Sequence, residues 1–78
     1  MRDIKQEAIV QMVVARLSED MRTSSQAIDV SADGDVVSLL GWCDREDQKM
    51  AAESIVEGTQ GVRAVVDRLR VRDPSASI

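Results

Sequence analysis

The sequence contains very few of the residues that most often carry chemistry in small proteins. Its 78 residues include no histidine, phenylalanine or tyrosine, one tryptophan (Trp42), one cysteine (Cys43) and one proline. A single cysteine cannot close an internal disulfide, and the lack of histidine excludes ordinary zinc sites and histidine-based acid–base catalysis. Any stability beyond that of a modest core must therefore come from close packing or from self-association.

The net charge of the chain is negative and argues against nucleic acid as a partner. Fourteen acidic residues against ten basic ones give a net charge of −4. Without a domain-wide basic patch or aromatic stacking platforms, nucleic-acid binding is not expected. The first residues carry acids and bases where a secretory signal has an apolar segment, and no apolar run is as long as a membrane span. We therefore expect a soluble protein, cytoplasmic if the chain is complete and periplasmic if it is an excerpt of an exported protein.

Two segments show the periodicity of amphipathic helices. Residues 3–21 contain neither Gly nor Pro and place an apolar side chain at every fourth position, namely Ile9, Val13, Leu17 and Met21. Asp3 is suited to cap this helix. A second helix is predicted to begin after Asp44 as its N-cap and to end at Gly58 and Gly61.

Three further segments, residues 27–32, 36–43 and 62–71, alternate as strands do. Asp33-Gly34 is a hairpin signal, and Asp35 makes the predicted loop slightly longer than two residues. The order helix-strand-strand-helix-strand predicts an α/β two-layer sandwich, in which a three-stranded mixed sheet carries two helices on one face and leaves the other face open. We assign residues 1–73 to this single domain and residues 74–78 to a frayed C-terminal tail.

These elements resemble the BON domain, the bacterial osmotic-stress and nodulation module, over residues 6–71. The marks of the resemblance are the helix spacing Ile9, Val13, Leu17 with Asp20, the pair Ile28 and Val30, the Asp-Gly turn, the series Val37, Leu39, Gly41, the helical Ala52 and Ile55, and Gly61-Val62 leading to Val65, Leu69 and Val71. Three features depart from the family pattern: a turn one residue longer, Cys43 where a branched aliphatic residue is common, and Asp67 where Asn is frequent. The resemblance implies a non-enzymatic domain that attaches to phospholipid surfaces or mediates protein contacts.

Four residues are interpreted as structural. Gly34 is a turn residue, and Gly61 is a helix-to-strand junction. Gly41 lies on the covered side of the second strand, where we expect a helix to pass close by; approach of a ligand is the alternative. Cys43 points the same way and is interpreted as a small packed hydrophobe, although the nearby helix start and Arg45 could lower its pKa.

The open face of the sheet is the candidate binding surface. By strand alternation it combines an apolar strip, the indole and three arginines, namely Val36, Leu40, Trp42, Val66, Arg68, Arg70 and Arg72. Trp and Arg are enriched at interfaces. Four interpretations stay open: a solvated strand whose arginines pair with Asp29 and other acids, self-association, an anionic lipid surface, or another protein.

The function predicted from these features is that of a binding or assembly module of the BON type. It would mediate contact with a protein partner or self-association as a homodimer. The alternative is peripheral attachment to anionic phospholipid membrane surfaces, linked to osmotic or envelope stress. No catalytic residue, cofactor or metal is predicted, since the Asp-Gly-Asp turn lacks the further oxygen ligands of a calcium loop and paired carboxylates need a cleft that so small a sandwich does not offer.

Overall fold

The computed structural model describes residues 4–72 and has the predicted order of elements. Helix α1 spans Ile4–Glu19, strand β1 Ala27–Asp33, strand β2 Val36–Cys43, helix α2 Glu46–Glu57 and strand β3 Ala64–Val71. The predicted cap at Asp3 and the predicted tail at residues 74–78 lie outside the described residues. The boundary between domain and tail therefore stays a prediction.

The sheet is mixed, and β2 is its central strand. β1 pairs with β2 antiparallel, and β2 pairs with β3 parallel. Helix α2 forms the crossover that a parallel pair requires. β1 and β3 are thus the two edges, and every side chain of β2 has a neighbour on both sides.

Both helices pack on the same face of the sheet and enclose the core. α1 lies against β1, α2 lies against β3, and the two helices touch each other. The core consists of apolar side chains from all layers, namely Ile9, Val13, Leu17, Val37, Leu39, Cys43, Ala52, Val56 and Leu69. The alternation of β2 alone accounts for three of these residues, since every second side chain points toward the helices. The predicted two-layer α/β sandwich is confirmed.

Helix α1 is shorter than its apolar spacing predicts. It ends at Glu19, and Met21 is 92% exposed, so its assignment to the core stripe is wrong. The chain turns at Asp20, and Thr23 becomes buried instead, with its hydroxyl donating to the Leu17 carbonyl at 2.6 Å. A local hydrogen bond at the helix end thus takes the place of the fourth apolar position of the stripe.

The same turn contains a close ion pair. Arg22 donates from its backbone N–H and its Nε to Asp20 Oδ1 at 2.9 and 3.0 Å, and from its guanidinium to Oδ2 at 2.8 Å. The side-chain hydrogen bond from Arg22 is the largest of the effects that lower the pKa of Asp20 to about 2. Asp20 therefore stays ionised and keeps the turn closed through most of the acid range.

Helix α2 begins one residue later than predicted. Arg45, not Asp44, is the N-cap, with extended backbone at φ −137°. The Gln48 side-chain oxygen accepts from the Arg45 N–H at 2.9 Å, and the Arg45 guanidinium pairs with Asp47 at 3.1 Å. The helix ends at Gly58, as expected.

The hairpin loop between β1 and β2 is also shorter than predicted. Asp33 and Val36 are paired across the ladder, so Gly34 and Asp35 alone form a two-residue turn. Gly34 has φ +65°, which suits the first central position of a tight hairpin turn. Asp35 is tied to the start of β3: its carbonyl accepts from the Arg63 N–H at 2.8 Å, and its carboxylate accepts from Arg63 Nε at 3.1 Å.

The open face of the sheet as candidate functional site

The face of the sheet opposite the helices, here called the open face, is not covered by any described element. Its residues come from alternate positions of the three strands: Ala27, Asp29, Ser31 and Asp33 of β1, Val36, Ser38, Leu40 and Trp42 of β2, and Ala64, Val66, Arg68 and Arg70 of β3. The seven sequence-predicted face residues include six of these positions. The seventh, Arg72, lies one residue beyond the end of β3.

The centre of the open face is apolar and exposed to solvent. Leu40 is 47% exposed, Trp42 43% and Val66 37%, although each lies within a regular strand. An exposed apolar strip on a regular sheet is the kind of surface that marks an interaction site. Trp42 adds a large, rigid amphipathic ring of the type enriched at interface anchors.

The β3 edge of the open face is basic. Arg70 lies over the Trp42 ring with its guanidinium carbon 5.8 Å from the ring centroid, within cation–π range. Arg72 Nε is 3.8 Å from Asp44 Oδ1 at the end of the face. Arg68 is exposed, and within residues 4–72 its guanidinium has no hydrogen bond or ion pair. The arginine row therefore contains one fully available cation at its centre.

The β1 edge of the same face is acidic, a feature that the sequence analysis did not assign to the binding surface. Asp29 and Asp33 are both exposed there, and Asp29 makes no ion pair with any described residue. Asp29, Leu40 and Arg68 lie in one row across the three strands, because Leu40 is in register with both of the others. Two strand spacings, about 10 Å, separate the edges. The interpretation that the arginines pair with Asp29 and other acids is therefore wrong for Asp29, whereas Arg72 does pair with another acid, Asp44.

A family model described as the BON domain matches residues 5–73. The chain belongs to the BON-domain family. It is also 36% identical over 66 residues to osmotically-inducible protein Y of Escherichia coli strain K12, a match that covers 85% of this chain. The chain spans 33% of the length of that curated relative.

Gly41 of this BON domain is required by the neighbouring strand rather than by a helix. Its φ is +128°, and a side-chain Cβ built there would overlap the Ala27 carbonyl oxygen, 3.0 Å from the Ala27 carbonyl carbon and 3.4 Å from Ile28 Cα. The approaching element is therefore the backbone of β1, which corrects the prediction of a helix passing by. Gly41 therefore allows β1 to lie close to β2 between Leu40 and Trp42 of the open face.

The other predicted structural residues lie away from the open face. Gly61 has φ +96° in the turn before β3, and a Cβ there would make ordinary contact with Ile9 at 3.6 Å. Cys43 is fully buried among core residues. Burial raises the pKa of its thiol, and the charges of Asp67 and Asp44 raise it further, opposite to the lowering that Arg45 and the helix start suggested. The thiol is thus buried in the core, and its raised pKa lowers the fraction present as thiolate.

Asp67, where the family often has Asn, points toward α2. Its Oδ1 accepts from the Leu69 N–H at 2.9 Å, while its Oδ2 is buried without a hydrogen-bond partner. Hydrogen bonding to Asp67 raises the pKa of Glu53 on α2, with desolvation and the charges of Asp67 and Glu57 acting in the same direction. This carboxyl pair lies on the helix side and is not part of the open face.

The helix side carries exposed apolar side chains of its own, namely Met12, Val14 and Met50, but these belong to two different helices. A shallow groove of about 340 Å³ lies between α1 and α2, lined by Arg16, Glu19, Asp20, Ser54, Ile55 and Gly58. No three His, Cys, Asp or Glu side chains of residues 4–72 are grouped so as to hold a metal ion. Neither α1 nor α2 has the length and apolar character needed to cross a membrane, and these are the helices of the described part.

Proposed function

We propose that this BON domain is a non-enzymatic assembly module that binds protein through the open face of its sheet. The single observation that carries the proposal is the exposure of Leu40, Trp42 and Val66 at the centre of a regular sheet. Burying such a strip under a partner removes apolar surface from water and is favourable by roughly 25 cal/mol per Å². The acidic and basic edges on either side add directional charge recognition.

A phospholipid surface is the second candidate, favoured by Trp42 beside the arginine row. An indole near guanidinium groups suits the membrane interface, where anionic lipids attract basic clusters. The acidic row with Asp29 and Asp33 opposes this candidate, because it lies on the same face and would meet the same anionic headgroups. Protein contact uses both edges, whereas an anionic membrane uses one and is repelled by the other.

Site-specific photo-crosslinking in living cells tests the proposal. A photoreactive amino acid is introduced at Leu40 on the open face or, as the matched control, at Met50, which is an exposed apolar residue of α2. We expect light-dependent protein adducts from position 40 and none from position 50. Adducts to lipid at position 40 would show that the open face contacts a phospholipid surface, which is the second candidate function. No adduct at position 40, or equal protein adducts at both positions, would refute the proposal.

The name of the Escherichia coli relative extends the proposal to osmotic stress. That protein is described as osmotically inducible, and we propose that this domain acts in the same kind of response, in the periplasm if it is exported and in the cytoplasm otherwise. Transcript measurement after a salt shift and cell fractionation test these two statements separately. An unchanged transcript level would remove the link to osmotic stress and leave the assembly function standing.

A further inference from the structure

We infer that the partner of the open face is a second copy of this chain, related by a two-fold axis that runs parallel to β2. The inference rests on the proposed function and adds the identity of the partner and the geometry of the contact. The open face carries an ordered set of charges across the sheet: it is acidic on β1, apolar on β2 and basic on β3.

The charge order selects one of the two simple ways to stack this face on itself. A two-fold axis perpendicular to the strands, lying between the two sheets, places β1 on β1 and β3 on β3, so that Asp29 meets Asp29 and Arg68 meets Arg68. An axis parallel to β2 places β1 of one copy over β3 of the other. Acidic edge then meets basic edge twice, while the apolar β2 strands face each other.

The register of the rows makes this match specific. A two-fold axis along the strand direction involves no shift along the strands, so each row faces the same row of the partner. Asp29 and Arg68 occupy one row with Leu40, and therefore Asp29 of each copy faces Arg68 of the other. Aligned sheets cross at about 30°, which shifts the edge rows by about 3 Å, less than half of the about 6.6 Å between rows.

The available charges fit this arrangement. Within residues 4–72, neither Asp29 nor Arg68 has an ion pair or hydrogen bond of its own, so both can pair across the interface without breaking an existing contact. Packed sheets lie about 10 Å apart, a gap that a long arginine side chain and a short aspartate can bridge from opposite sides. The Asp33 row contains no arginine, because Asp33 is aligned with Val36 and Ala64.

The size of the face predicts a weak dimer. Three strands of seven or eight residues form a patch about 14 Å wide and about 25 Å long, or about 350 Å² in plan. Stable complexes bury about 800 Å² per partner, so this contact lies below that range. We expect a concentration-dependent dimer with a Kd in the micromolar range or weaker.

Charge reversal tests both the partner and the axis by sedimentation equilibrium up to about 1 mM protein. Asp29→Arg alone creates Arg–Arg contacts and Arg68→Asp alone creates Asp–Asp contacts, so each variant is expected to dimerise at least about tenfold more weakly than wild type. An equimolar mixture of the two variants restores both opposite-charge pairs, and so does the double variant in one chain. Asp33→Arg makes the same charge change on the same strand and face and is expected to leave the Kd within about twofold.

Each outcome has a definite consequence. Thermal melts establish that all variants are folded, which the exposure of both side chains favours. A wild-type monomer at every concentration overturns the inference, as does a dimer that both reversals leave unchanged. Weakening by each single variant without rescue in the mixture overturns the parallel axis. If position 40 crosslinks to a different protein and the wild type is monomeric, the dimer is refuted and the proposed function stands. If the open face instead binds vesicles through Arg68, both the dimer and the proposed function are refuted.

Discussion

Replacement of Gly41 by alanine is expected to damage the hairpin that forms the open face. The new Cβ would overlap the Ala27 carbonyl oxygen, and the residue would keep a φ of +128° that L side chains rarely adopt. The unfavourable φ costs about 1–2 kcal/mol. Moving the β1 backbone away from β2 weakens two or more ladder hydrogen bonds, at about 0.5–1.5 kcal/mol each. The free energy of unfolding should therefore fall by about 2–5 kcal/mol, with about 3 kcal/mol near the middle of that range.

This loss is large for a chain of 78 residues. Domains are stable by roughly 0.05–0.15 kcal/mol per residue, which gives about 4–12 kcal/mol here. A loss of about 3 kcal/mol corresponds to a decrease in Tm of at least about 12 °C. Circular dichroism melts of the wild type and the variant measure this decrease directly.

Two other glycines provide controls that distinguish the two causes of the loss, namely the positive φ and the overlap with the β1 backbone. Gly34→Ala retains the strain of a positive φ without a clash, because no atom lies within 4 Å of its added Cβ, and it should cost about 1 kcal/mol. Gly58→Ala keeps an ordinary helical conformation and should be neutral or stabilising by a few tenths of a kcal/mol. A Gly41→Ala variant that melts within about 4 °C of Gly34→Ala would show that the approach of β1 does not exclude a side chain.

Three further predictions concern the ionisable groups. Asp67→Asn supplies an N–H donor for Glu53 and should raise the free energy of unfolding at pH 7 by less than about 1 kcal/mol, since solvent screens the pair. The raised pKa of Glu53 means that its stabilising contribution is complete below its ordinary pKa of 4.5 and is lost as the pH rises through the folded pKa. Urea titrations should therefore show the advantage of Asp67→Asn shrinking as the pH falls through the raised pKa and reaching its minimum by about pH 4.5. Cys43 should react with a thiol reagent far more slowly in the native protein than in urea, and fast labelling of the folded chain would contradict its burial. Asp20 stabilises the fold when ionised, and this contribution is complete above its ordinary pKa of 3.8 and is lost as the pH falls through about 2. Arg22→Ala should return the pKa of Asp20 toward 3.8 in an NMR titration. An unchanged midpoint would show that the ion pair does not set this pKa.

The sequence alone determined which strand residues share a face and that Ile9, Val13 and Leu17 of α1 are buried. Alternation with a period of two places Val37, Leu39 and Cys43 on the side of β2 that contacts the helices, and Leu40 and Trp42 on the other, because successive side chains of a strand point to opposite faces. The resemblance to the BON domain rested on the same apolar positions. These patterns are local, so no knowledge of the strand order was needed to interpret them.

The tertiary structure decided the features that depend on which strands are neighbours. Alternation cannot tell whether β3 pairs beside β1 or beside β2, and that choice separates the Asp29 edge from the Arg68 edge by the width of β2. The reason for Gly41 is equally non-local, since the atoms that exclude a side chain belong to residues 27 and 28, 13 or more positions away along the chain. Met21 continued the apolar spacing but left the core, because hydrogen bonds around Asp20 and Thr23 end α1 before the spacing does. The periodicity and composition of a segment thus determine which of its side chains share a face. The pairing of strands and the hydrogen bonds of turns determine which faces and edges come together.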